Sequence, residues 1–265
     1  MPCWPDHSPC APATTRAPRS RPLSGASHVS KSVVITQSNY LPWRGYFDLL
    51  RSADEIVLLD SVQYTRRDWR NRNLIKTPQG AGWITISVEV KGRYLQAIDE
   101  TRISDPDWAR THKRTIELAY RKAPCFTETA DWLFALLDEV AEQPLLSVVN
   151  EITLKRICGK LSVDIPMRRC TDLIDRERLA GLDPTDRLIA LAQAAGATRY
   201  LTGPAARSYL NVDRFRDAGI EVEWMRYDVY PPYPQLWGPF VPGVSIIDLF
   251  FNTGADATRY LDKQP

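Results

Sequence analysis

Residues 32–60 read SVVITQSNYLPWRGYFDLLRSADEIVLLD. The β-branched run Ser32–Thr36 predicts a buried strand, because both faces of the run are apolar. A turn-rich segment with Asn39, Pro42 and Gly45 follows. A helical pattern then runs from Tyr46 to Ala53, with Phe47, Leu49 and Leu50 as its apolar stripe. Glu55–Asp60 predicts a second strand. Strand, loop, helix and strand within about 30 residues make a βαβ unit, which favours parallel pairing with a right-handed crossover.

Outward from this unit, Trp83–Val90 alternates as a strand, and Asp107–Arg121 reads as a helix opened by an acidic first turn. Residues 129–142 and 147–161 follow as amphipathic helices. Asp186–Ala195 is a further helix stopped by Gly196. Tyr200–Gly203 and Glu221–Arg226 read as strands. The Pro- and aromatic-rich stretch from Tyr230 to Gly243 reads as an ordered cover, and Ser245–Phe251 as a final apolar helix or strand. The expected fold class is α/β, with a Rossmann-like βαβ core, a largely parallel sheet and an added helical region. Residues 1–31 combine Pro, Ser, Ala and Arg without hydrophobic periodicity and are expected to be a disordered extension. Residues 32–265 are expected to form a single globular domain.

Ligands of such sheets bind beyond the carboxyl ends of the strands. Here those ends carry Gln37–Tyr40 and Asp60–Tyr64. The first loop, Gln37 to Gly45, follows a strand and precedes a helix, a placement that suits a phosphate on helical amides. Its place is similar to the loop of nucleotidylyltransferase-like domains, although the histidine pair typical of those enzymes is absent. A structural turn with Trp43 in the core is the plain alternative. Asp60 can hold a metal, orient an amine or accept a proton, or simply cap the next turn, while Gln63 and Tyr64 add polar reach beside it.

Arg66-Arg-Asp-Trp-Arg-Asn-Arg-Asn73, with Lys76, is the sharpest feature. Guanidinium forks match phosphate and carboxylate geometry, and Trp and amide side chains suit planar or sugar-like groups. Arg67, Trp69, Arg70, Asn71, Arg72, Asn73 and Lys76 are therefore candidate ligand contacts. A solvated basic loop is the alternative, and an RNA-binding loop has the same composition. His112 falls one turn into a helix and has an ordinary pKa of about 6.5, so it is a candidate general acid or base or else an exposed helix residue. Gly203, Arg207 and Tyr209 form a second candidate anion pocket. No Ser/His/Asp set, P-loop or metal-ligand spacing is legible.

The chain has 265 residues, 44% hydrophobic and 25% charged, enough to bury a good core without staples. A net charge of +2 gives no polyelectrolyte footprint, which argues against DNA as a partner. Five cysteines, an odd number without metal spacing, argue against a disulfide framework. No apolar run reaches a membrane span, and the expected location is the cytoplasm.

QSNYLPWRGYFDLL (37–50), LDSVQYTRRDWRNRNLIKT (59–77) and YLTGPAARSYLN (200–211) resemble the WbqC-like family of bacterial proteins. RLIALAQAAGA (187–197), YPQLWGPFVPG (233–243) and SIIDLFFNTG (245–254) extend the resemblance, which covers roughly residues 33–254. The family usually has Pro where this chain has Ser38. It often carries a serine pair near Arg168–Thr171 that is missing here. The resemblance implies a place in O-antigen or other surface-polysaccharide assembly, with glycine transfer to an amino sugar suggested for one branch. The leading expectation is a transferase that acylates a nucleotide-linked amino sugar, using an acyl or aminoacyl donor that could be tRNA-linked. An ATP-dependent ligase or nucleotidylyltransferase-like enzyme, and a non-catalytic sugar-nucleotide-binding module, are the alternatives. No cofactor is specified.

Overall fold

The computed structural model describes residues 30–228 and 230–262. The expectation for residues 1–31 falls almost wholly outside them. Five parallel strands form the central sheet: β1 (Ser32–Thr36), β2 (Glu55–Leu58), β5 (Met167–Arg169), β6 (Arg199–Thr202) and β7 (Glu221–Trp224). Their spatial order is β5-β2-β1-β6-β7. Counted within the sheet alone, that is the order 3-2-1-4-5 of a Rossmann fold. The α/β, Rossmann-like expectation therefore describes this architecture.

Alternation along the strands assigns the two faces. Val34, Ile56 and Leu58 face one core, which holds α1 (Arg44–Arg51), α2 (Trp108–Tyr120), α3 (Phe126–Val140), α4 (Leu146–Lys160) and α8 (Ile246–Thr253). Val33, Ile35, Val57 and Leu59 face the other, with α5 (Arg176–Ala180), α6 (Pro184–Ala194) and α7 (Val212–Asp217). A period-two strand buried on both faces has to read as continuous β-branched sequence, as β1 does. At the amino ends of the strands, buried Glu55 is held by Lys31 at 2.6 Å and by Arg168. That edge is pinned by ion pairs, which leaves the carboxyl edge open for ligands.

Between β2 and β5 the chain inserts a hairpin and three helices. The hairpin corrects the strand expected over Trp83–Val90. Strand β4 (Gly80–Thr85) starts earlier and ends at Thr85, because it pairs antiparallel with β3 (Arg72–Thr77) across a Pro78-Gln79 turn. The latter half of the supposed arginine loop is thus strand, with Asn73 and Ile75 on one face and Leu74 and Lys76 on the other. Short elements β5, α5 and α7 were not expected from the sequence, and Ser245–Phe251 proves helical.

Candidate functional site

In a doubly wound sheet the crevice opens where successive connections leave in opposite directions. Strand β1 connects through α1 to β2 on one side, whereas β6 lies on its other side. The largest cleft at the carboxyl edge, about 570 Å³, sits at this switch point. Gln37, Asn39, Tyr46, Gly203, Tyr209 and Tyr227 line it with Leu49, Leu59, Leu188 and Tyr200. Among the described residues, Arg70 is the only charged side chain in its lining.

Arg70 is held in place. Its guanidinium donates to the Asn39 side-chain oxygen Oδ1, and it lies 3.5 Å from Asp68. Its own carbonyl accepts from fully buried Asn150 at 2.9 Å, and Asn150 also donates to Ser38 Oγ at 3.1 Å. The Ser38 amide donates to Asp60 Oδ1 at 2.8 Å. The first loop, the arginine segment and the end of β2 are therefore one hydrogen-bonded unit. Burial pushes the Asp60 carboxyl up to about 6, while its bonds to Ser38 and the nearby Arg70 charge pull it back down. A carboxyl in that range can take a proton at neutral pH.

Beside the cleft, and sharing Asn39 with it, runs a largely apolar groove of about 370 Å³ lined by Pro42, Trp43, Trp69, Asn73, Leu74 and Gly243. Asp60 itself lines a smaller cavity of about 220 Å³ on the β2/β5 side. The arginines there are mutually paired with acids, Arg169 with Glu151 and Arg176 with Asp99. Gln63 and Tyr64 lie apart from all three, in a hollow with Arg66, Arg93 and Tyr94.

Residues 37–260 match the WbqC-like protein family. The chain belongs to that family. This WbqC-like protein is also 49% identical over 231 residues to an uncharacterized protein of Mycobacterium tuberculosis, covering 87% of this chain and 97% of that relative. No solved structure matches the chain.

The geometry sorts the expected residues of the WbqC-like protein into two groups. Gln37, Arg70, Gly203 and Tyr209 come together in the switch-point cleft, and Trp43, Trp69 and Asn73 in the groove. Asp60, Gln63 and Tyr64 line the two hollows described above, Arg67 is exposed, and the remaining expected residues have packing partners instead. Tyr40 is fully buried and its hydroxyl meets His112 Nδ1 at 2.8 Å. His112 Nε2 lies 3.1 Å from the Thr85 carbonyl, so Nε2 carries the proton and Nδ1 accepts from Tyr40. Burial lowers this imidazole to about 4 and keeps it neutral, and it lines none of the cavities described above. Asn71 donates to the Ile86 carbonyl, and Asn73 ties down the carbonyls of Tyr40 and Leu41. The latter bonds hold Leu41 at φ +43°, an uncommon conformation for a leucine.

Lys76 is buried far from Arg70 and anchors Gln235 and the Pro239 carbonyl of the Tyr230–Gly243 cover. Arg72 stacks on Trp83 with 4.0 Å to the ring centroid and donates to the carbonyl of exposed Arg67. Arg207 stacks on Trp224 at 4.8 Å and does not line the cleft. The expected phosphate cradle at the start of α1 is also absent. The Trp43 indole packs over the first turn of that helix, where a Cβ on Gly45 would lie 2.4 Å from the ring.

Sequence reasoning passed over Asn39, Tyr46, Tyr227 and Asn150. Asn39 and Tyr46 lay inside the segment already singled out. Tyr227 follows β7, where the strand-end rule would have pointed. Asn150 left no signal, because a polar residue in the middle of a helix normally faces water.

Proposed function

We propose that this WbqC-like protein is a transferase that acylates the amine of a nucleotide-linked amino sugar. The observation that carries the reading is the switch-point cleft with Arg70 as its one charged lining residue. Apolar and tyrosine walls around a single fixed guanidinium suit a ligand with a flat or apolar body and one anionic group. Its volume lies in the range of small-molecule and cofactor sites. The surface-polysaccharide setting and the choice of acyl transfer are taken from what the resemblance to the family suggests.

In this reading Arg70 holds a phosphate of the nucleotide, and Asn39 and Gln37 offer amides beside it. Asp60, which lines the adjoining cavity on the β2/β5 side and is joined to the cleft loop through the Ser38 amide, is the candidate acceptor of the ammonium proton. The freed amine attacks the donor carbonyl and a C–N bond forms; the bond from the carbonyl carbon to the donor's leaving group breaks, the leaving group takes the electron pair, and the second amine proton passes to the leaving group or to water. His112 has no part in this scheme, because it is sealed between Tyr40 and Thr85.

The test is a thermal-shift panel of UDP- and dTDP-amino sugars, ATP, CTP and free amino acids. A ligand at about one hundred times its dissociation constant stabilises the folded state by about 2.7 kcal/mol. A shift with an amino-sugar nucleotide, followed by mass-spectrometric detection of its acylated product, is the expected result. A shift with ATP alone would replace the reading with an ATP-dependent ligase.

A further inference from the structure

Trp69 is a large aromatic that folding leaves 41% exposed, and its neighbour Trp83 is 47% exposed. Both are nevertheless held. The two rings meet at 5.3 Å between centroids, and the Arg72 guanidinium stacks 4.0 Å from the Trp83 ring centroid. The Trp69 backbone is fixed as well, since its carbonyl accepts from the Tyr40 amide at 3.0 Å. A solvent-facing indole braced on its backbone and on its ring is a preorganised platform, and little side-chain freedom remains to be lost on binding.

That platform lines the 370 Å³ groove together with Trp43, Pro42 and Leu74. Trp43 is braced in turn by Tyr227 at 5.1 Å and Tyr230 at 6.1 Å. The groove and the switch-point cleft share Asn39, whose side-chain oxygen is committed to Arg70. This leaves the Asn39 amide N–H groups for a ligand at the junction. One molecule can therefore occupy both spaces, with its anionic linkage beside Arg70.

We propose that the Trp43–Trp69 groove is the sugar subsite of this protein, holding the pyranose of a sugar nucleotide whose nucleoside end occupies the cleft at Arg70. The proposal rests on the reading under Proposed function and deepens it. A pyranose has a face of C–H groups that packs on an indole, and hydroxyls at its rim that seek amides. An apolar groove edged by Asn39 meets both demands. The sugar's substituents then lie near Asn39, at the junction of the groove and the cleft.

The experiment is isothermal titration of the full chain with UDP and with UDP-amino sugars, in parallel with the dTDP compounds. The wild type, Trp69→Ala and Trp69→Phe are compared. Trp69→Ala is expected to weaken the sugar nucleotide about tenfold while leaving the free nucleoside diphosphate within about twofold. Trp69→Phe, which keeps an aromatic face, is expected to recover most of the loss. Equal affinity of wild type and Trp69→Ala for the sugar nucleotide overturns the subsite and leaves the cleft assignment standing. Equal weakening of sugar nucleotide and free diphosphate also overturns it, because the indole would then act on the cleft as a whole. Failure of the wild type to bind any of these compounds removes the underlying reading and the subsite with it.

Discussion

Arg70 donates to the side-chain oxygen of Asn39, a residue 31 positions earlier in the chain. The bond joins the loop after β1 to the segment before β3, two stretches also tied by the Tyr40 amide to the Trp69 carbonyl and by Asn150 of α4, which donates to both Ser38 and the Arg70 carbonyl. A guanidinium restrained in this way pays little entropy to engage an anion, and its direction is set before the ligand arrives.

Replacing Arg70 by Ala is expected to weaken binding of an amino-sugar nucleotide by about 1.5–3 kcal/mol, the worth of a hydrogen bond to a charged group. Arg70→Lys should recover part of this, because it restores the charge without the fork. Titration calorimetry reads both variants. Unchanged affinity in Arg70→Ala would end the assignment.

His112 makes the fold acid-sensitive. Burial holds its imidazole at about 4, below the ordinary 6.5. Above the ordinary value neither folded nor unfolded chain binds the proton. As the pH falls from there toward the folded value, the unfolded chain takes up a proton that the folded one refuses. Stability therefore drops over this window, by up to about 3 kcal/mol from this group. His112→Gln is expected to flatten that part of the curve. Urea midpoints at pH 7 and pH 4.5 for both proteins would show it, and parallel pH slopes would contradict it.

Asp60 works in the opposite sense. Its folded-state pKa of about 6 lies above the ordinary 3.8, so its contribution is full below the ordinary value and is lost as the pH rises through the folded one. Asp60→Asn keeps an oxygen acceptor for the Ser38 amide and removes the buried charge. The variant is expected to gain about 1–3 kcal/mol of stability at pH 7.5 and to match the wild type near pH 4. Thermal denaturation at the two pH values checks this. Loss of transferase activity in the same stabilised protein would mark Asp60 as the base.

Lys76 reports on the Tyr230–Gly243 cover. Its ammonium bonds Gln235 and the Pro239 carbonyl, and Gln235 in turn donates to fully buried Asp248 at 2.8 Å. Lys76→Met should deprive the Pro239 carbonyl of this donor and leave Gln235 Oε1 with the Val241 amide alone, at a cost of about 1–3 kcal/mol. Limited chymotrypsin digestion is expected to cut within 230–243 faster in the variant, and identical cleavage rates would refute the anchoring role.

The βαβ unit, the parallel sheet and most helices were legible because burial on both faces forces β1 and β2 into unbroken apolar runs and α3 and α4 into helical stripes. The hairpin was not legible. Its first strand is Arg72-Asn-Leu-Ile-Lys-Thr77, whose polar residues are buried by specific partners rather than by hydrophobicity. The density of Arg, Trp and Asn over 66–76 pointed to the right region, yet composition could not separate Arg70, which lines the cleft, from Lys76, which braces the cover.

The sequence by itself determined four of the five strands of the sheet and the strand ends where the unusual residues gather, since these depend on local periodicity. Only the tertiary structure decided which of those residues share a cavity. Lone polar groups such as His112, Asn71 and Asn150 look alike along the chain whether they face a ligand or a buried carbonyl. What separates the two outcomes is the position of hydrogen-bond partners such as Thr85, Ile86 and Ser38, supplied by other elements of the fold.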